Sequence, residues 1–134
     1  MSVEQNKATI RRVIDVLMKG NRAIVEEAFS PNFAFHSHTH IDPPLRGLQG
    51  AREMTSGSDL DDTEVTIEDI FGEGDRVAVR WTFRGIYRGA TKPGYPQPGE
   101  RCTIVAISTY RFVDGKIEDD WGVEAFWNGD APWK

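Results

Sequence analysis

The chain has 134 residues, with 16 Lys and Arg against 21 Asp and Glu, a net charge of −5 and a hydrophobic content of 39%. That length predicts one domain, residues 1–134, long enough to bury a core. The acidic balance and the lack of any Lys/Arg run argue against nucleic acid as a partner, and no apolar run approaches the ~20 residues a membrane helix needs.

Ile10, Val13, Ile14 and Leu17 recur at i, i+3, i+4 and i+7, one face of a first helix. Ser2 with Gln5 has the form of a capping box, and Gly20 is a stop. Asn21 is placed to cap a second, shorter helix with Ile24, Val25, Ala28 and Phe29 as its apolar set, ended by Ser30-Pro31. Phe33 to Ile41 then alternates as a strand. Phe33, Phe35, Ser37 and Thr39 take one side; Ala34, His36, His38 and His40 take the other. Pro43-Pro44 and Gly47 break the chain before a third helix, Leu48 to Met54.

From there the pattern is strand. Val65, Ile67 and Phe71 belong to one, and Gly72-Glu73-Gly74-Asp75 is a turn. Val77, Val79, Trp81 and Phe83 form the apolar face of the next, which puts Arg80 and Arg84 on the outer face. Residues 89–100 include Pro93, Pro96 and Pro98 and read as a long loop or open hairpin. Cys102 to Phe112 and Lys116 to Phe126 are the last pair, joined by Asp114-Gly115, a strong two-residue hairpin signal. That turn pairs Val113 with Lys116 and Phe112 with Ile117. Regular continuation sets Arg111 opposite Glu118, Tyr110 opposite Asp119, Thr109 opposite Asp120 and Ser108 opposite Trp121.

Helices followed by antiparallel strands predict an α+β fold, a curved sheet with helices on one side and a pocket between them for a small molecule. The N-terminal residues lack a signal-peptide pattern, and the single Cys102 excludes an internal disulfide, so a cytoplasmic location is expected.

The stretch Gly74-Asp75-Arg76-Val77-Ala78-Val79-Arg80-Trp81-Thr82, a Gly-rich segment ending near Gly99, Ser108-Thr109-Tyr110-Arg111-Phe112 and Asp114-Gly115-Lys116-Ile117 with a later Trp121 resemble the SnoaL-like polyketide cyclases. These are a branch of the nuclear-transport-factor-2-like (NTF2-like) superfamily. Phe33-Ala34-Phe35-His36 followed by Pro44-Leu45-Arg46-Gly47 is similar to the family's first strand and the loop into its third helix. The resemblance implies a cone-shaped α+β barrel with N-terminal helices packed on a mostly antiparallel sheet, a deep apolar pocket, a homodimer packed sheet to sheet, and no metal or organic cofactor. It also implies cyclisation by an acid near the end of the last strand. Where the family often reads Glu-His-Trp-Asp, this chain reads Asp119-Asp120-Trp121-Gly122, so glycine stands at the expected acid position.

Two carboxylates flank that glycine on one strand face, Asp120 and Glu124. Four residues of strand put them about 13 Å apart, too far to share one proton. A carboxyl on an apolar wall has its pKa raised toward neutrality and becomes a usable acid or base. Asp120 is therefore the candidate catalytic residue, with His36 as its helper or as hydrogen-bond donor to a carbonyl. Candidate ligand contacts are His38, Trp81, Tyr110, Trp121 and Glu124. His36, His38 and His40 alternate on one strand, but three such histidines rarely converge on one ion, and no metal is expected. The expected function is cofactor-free acid/base chemistry (cyclisation, isomerisation or dehydration) on a small apolar carbonyl compound. The alternative is a pocket that only binds a small hydrophobic molecule.

Overall fold

The computed structural model describes residues 2–37, 45–56, 60–91 and 93–129. In chain order the elements are α1 (Val3–Met18), α2 (Ile24–Ala28), β1 (Phe29–Ser37), β2 (Leu45–Arg46), α3 (Gly47–Ser56), β3 (Leu60–Glu73), β4 (Arg76–Tyr87), β5 (Arg101–Val113) and β6 (Lys116–Asn128). The six strands form one sheet in the order β2-β1-β6-β5-β4-β3. The sheet is open, with β2 and β3 at its edges, and mixed, because β1 runs parallel to β6 while the other neighbours are antiparallel. Among the described residues no helix is long and apolar enough to cross a membrane.

The α1 capping box forms as expected: the Gln5 N–H donates to Ser2 Oγ at 3.1 Å and the Ser2 N–H to Gln5 Oε1 at 2.9 Å. The helix ends before Gly20, whose φ of 82° suits only glycine. Its inward face carries Ile10 and Val13 into a core shared with Val25, Phe33, Val77, Val79 and Phe112. The N-cap of α2 is Ala23, without a side-chain capping bond, and not Asn21 as expected; Asn21 Oδ1 instead accepts from the Ala23 N–H at 3.0 Å and braces the turn before the helix.

The short α2 gives way to strand at Phe29, earlier than Ser30-Pro31 suggested, because Phe29 and Phe33 pack edge to face at 5.1 Å inside the core. The two-residue β2 is too short to leave a pattern in the sequence. Helix α3 is anchored by Arg22, which donates to the backbone oxygens of Thr55 and Arg52 at 3.0 Å each, and by the Arg52–Glu26 ion pair. These contacts hold α3 against α2.

The closing hairpin turns as expected. Asp114 and Gly115 both have positive φ, 51° and 78°, the geometry of the tight turn that matches strand twist. Phe112 pairs with Ile117, but the expected register fails one step further. Arg111 pairs with Asp119, Tyr110 with Asp120, Thr109 with Trp121 and Ser108 with Gly122. Glu118 is an extra residue, a β-bulge. It is held by hydrogen bonds from Ser30 Oγ and Arg111 Nη2, both at 3.0 Å. The bulge keeps Ile117 on the inner face and turns Asp120 and Gly122 inward behind it.

Candidate active site

A cavity of about 570 Å³ lies between the inner face of the sheet and the helices. Ile10, Val13 and Leu17 of α1 and Met54 of α3 cover it; Trp81 and Phe83 of β4 and Phe35 of β1 wall it. Its floor is the inner face of β5 and β6. There Tyr110 lies opposite Asp120 and Ser108 opposite Gly122, with Ala106 opposite Glu124. Glu124 is exposed and lies where the lining reaches solvent.

Asp120 is the chemically distinctive group. It is 3% exposed, and among the described residues its Oδ1 has no hydrogen-bond partner. Burial pushes its carboxyl up to about 8, since the charged form would lose its water without gaining a donor. At neutral pH it is therefore mostly a neutral acid. Tyr110, 6% exposed, has its hydroxyl pushed well above the usual range, first by burial and then by the proximity of Asp120. Ser108 acts against that shift through its hydrogen bond with Tyr110, and it accepts the Trp81 Nε1–H at 3.3 Å. Trp81, Ser108, Tyr110 and Asp120 thus form one polar strip on an otherwise apolar wall.

Asp120, Trp81, Tyr110 and Glu124 are brought together on the cavity surface. His36 and Trp121 are not, and both expectations are corrected. Trp121 alternates with Asp120 and Gly122 and falls on the outer face, where its ring stacks on His36 at 5.2 Å and the Arg76 guanidinium lies 5.0 Å over it. His36 pairs directly with Trp121 across β1 and β6, and its Nε2 lies 3.0 Å from Asp119 Oδ1. The sheet therefore separates His36 from Asp120, so it cannot assist that carboxyl directly. Asp119 also accepts from Arg111 Nε at 2.8 Å. Partial burial would raise its carboxyl, but the hydrogen bonds from His36 and Arg111 outweigh that and hold it below the ordinary aspartate value. His38 and His40 lie outside the described residues.

Sequence reasoning missed Ser108 and Phe35. Ser108 bridges Trp81 and Tyr110, and its place two residues from Tyr110 on an inward-facing strand was the available signal. The Phe35 ring approaches Gly122 from the neighbouring strand. That contact depends on the parallel pairing of β1 with β6, which local pattern does not reveal.

The model of the SnoaL-like polyketide cyclase family matches residues 7–126. The chain belongs to that family. Solved structures agree on the fold. One is a candidate SnoaL-like polyketide cyclase from Jannaschia sp. CCS1, 22% identical, with 90% of this chain and 85% of that chain covered and a TM-score of 0.76. Another is IdmH, a candidate polyketide cyclase from Streptomyces antibioticus, 25% identical over 90% of this chain and 91% of that one, TM-score 0.70. A third, an LEH-like epoxide hydrolase from M. tuberculosis, is 14% identical over 92% of this chain and 84% of that one, TM-score 0.69. No curated protein sequence matches the chain. The sheet is thus that of an NTF2-like protein, opened at its edges rather than closed into a barrel.

Proposed function

We propose that this SnoaL-like protein catalyses proton transfer next to a carbonyl in a small, largely apolar molecule, leading to cyclisation, isomerisation or dehydration, with Asp120 as the acid/base. The observation that carries this is a 3% exposed carboxyl on the cavity wall with an unpartnered oxygen. In its neutral form Asp120 donates its proton to the carbonyl oxygen. The C=O π pair forms the new O–H bond, the electrons of the α-C–H bond become the new C=C bond, and water takes the released proton. The Tyr110 hydroxyl, uncharged at working pH, adds a second polar group beside that oxygen. A neutral buried carboxylic acid suits this task, because a carboxylate would repel the developing enolate.

The test is exchange of the α-protons of 1-tetralone into D2O, followed by NMR. The wild type is expected to accelerate exchange, and Asp120→Asn to lose on the order of 10²-fold. Wild-type exchange at the buffer rate, or an Asp120→Asn variant as fast as wild type, would remove the assignment. The binding-only alternative is favoured by Gly122, which supplies no acid at the position where the family's resemblance places one. It predicts that a ligand co-purifies and is returned chemically unchanged.

The outer face of the sheet suits a second copy of the chain. Ile107 and Val123 pair directly there and are 51% and 43% exposed, and Arg80 stands beside them. Sedimentation of wild type against Ile107→Lys tests this: a dimer that dissociates in the variant is expected.

A further inference from the structure

Gly122 occupies the middle of the cavity floor. Ser108 lies directly opposite and Ala106 one step further along β5, so the floor is made of small residues between the Asp120–Tyr110 pair and Trp81. The backbone at Gly122 does not demand glycine. Its φ lies outside the left-handed range that marks Gly20 and Gly115. What the glycine supplies is space. A Cβ at this position would stand 3.2 Å from Phe35 Cε1, 3.6 Å from Phe35 Cζ and 3.8 Å from Asp120 Oδ1. That carboxyl oxygen is the same one that lacks a partner.

We propose that Gly122 is the specificity-determining residue of the cavity: the side chain it lacks leaves room beside the buried Asp120 carboxyl, bounded by the Phe35 ring, into which a ligand's carbonyl oxygen fits to meet that carboxyl once the ring edge yields. This rests on Asp120 as the ligand-facing carboxyl of the function proposed above. Alanine at 122 adds one methyl at ordinary contact distance from Oδ1. It needs the Phe35 ring edge to yield by a few tenths of an ångström, which a half-buried side chain can do. Valine adds two more carbons and fills that room. Neither change removes a polar group, so an effect on ligand choice would come from lost space and not from lost chemistry.

The experiment titrates wild type, Gly122→Ala, Gly122→Val and Asp120→Asn with 1-tetralone and with tetralin, the same skeleton without its carbonyl, by NMR. Circular dichroism and thermal melting report on the fold. Wild type is expected to bind the ketone about tenfold more tightly than the hydrocarbon, the worth of one good hydrogen bond in a dry site. Gly122→Ala should shrink that preference to a few-fold, and Gly122→Val should abolish it. Phe35→Leu added to Gly122→Ala should restore it by withdrawing the ring edge, a rescue that a merely destabilising substitution would not show. A folded Gly122→Val that keeps the preference overturns the inference. If Gly122→Val does not fold, Gly122→Ala with the preference intact overturns it equally. Equal binding of ketone and hydrocarbon by wild type overturns it together with the ligand-facing role of Asp120. Unchanged proton exchange in Asp120→Asn, alongside a preference that disappears in Gly122→Val, removes only the catalytic proposal and leaves Gly122 as a determinant of binding.

Discussion

Asp119 and Asp120 are adjacent in the chain and differ in almost every other respect. Asp119 lies on the outer face of the sheet, bridged by Arg111 and His36, with its carboxyl held below the ordinary value. Asp120 lies on the inner face, with an unpartnered oxygen and a carboxyl pushed up to about 8. A strand separates two solvents: side chains one residue apart meet partners and water on one side and a dry wall on the other. Residue type therefore says little about a carboxyl's chemistry until its face is known. The outer network satisfies its charges within the fold, whereas the inner carboxyl leaves one oxygen unpartnered on the cavity wall.

The strongest way to break this comparison is to neutralise each acid in turn. Asp120→Asn should lose on the order of 10²-fold in proton exchange, while Asp119→Asn should stay within about twofold of wild type. Equal losses would mean that the two faces are not chemically distinct. The pH dependence of the same reaction should follow: activity that needs neutral Asp120 persists at low pH and falls as pH rises through about 8.

Stability should separate the two residues by sign. Folded Asp120 holds its proton up to about 8, while in the unfolded chain it ionises near 3.8. The folded state binds more protons across that window, so this group's contribution to stability declines as pH rises from about 4 to 8 and is constant above. Asp119 is shifted downward instead, so its contribution is present above the unfolded value of 3.8 and is lost as pH falls through its lower folded value. Urea unfolding across pH should show Asp120→Asn flattening the neutral limb and Asp119→Asn flattening the acid limb.

Smaller effects sharpen the same contrast. Arg111→Met leaves Asp119 and Glu118 without their shared cation and should cost about 1–3 kcal/mol in unfolding free energy with little change in exchange rate. Ser108→Ala removes the acceptor of the Trp81 N–H and should cost about 1 kcal/mol. Because it also frees the Tyr110 hydroxyl, it should change exchange measurably where Arg111→Met does not.

Much of the fold was legible in local pattern. The period of Ile10, Val13, Ile14 and Leu17, the capping pair Ser2 and Gln5, and Asp114-Gly115 each express physics within a few residues of chain. Asp120 was identifiable as a candidate because an acid on an apolar strand stands out in any register. Its true neighbour was not, since the register expected from the turn put Tyr110 opposite Asp119. Glu118 interrupts that register through contacts with Ser30, 88 residues away, and with Arg111. His36 was misplaced for a related reason. Alternation tells which residues share a side of a strand, but only the pairing of β1 with β6 tells which side faces the cavity.

The bulge at Glu118 behaves as a phase shifter. Without the bulge, the strand beyond Ile117 would be threaded through the same sheet one step earlier, and every side chain there would change places with its neighbour. Asp119, Trp121 and Val123 would look into the cavity, and Asp120 would take its place among cations on the outside. The composition would be identical, but the buried acid would leave the cavity. One surplus glutamate, tethered by a serine from another strand, thus chooses which of two adjacent aspartates faces the cavity.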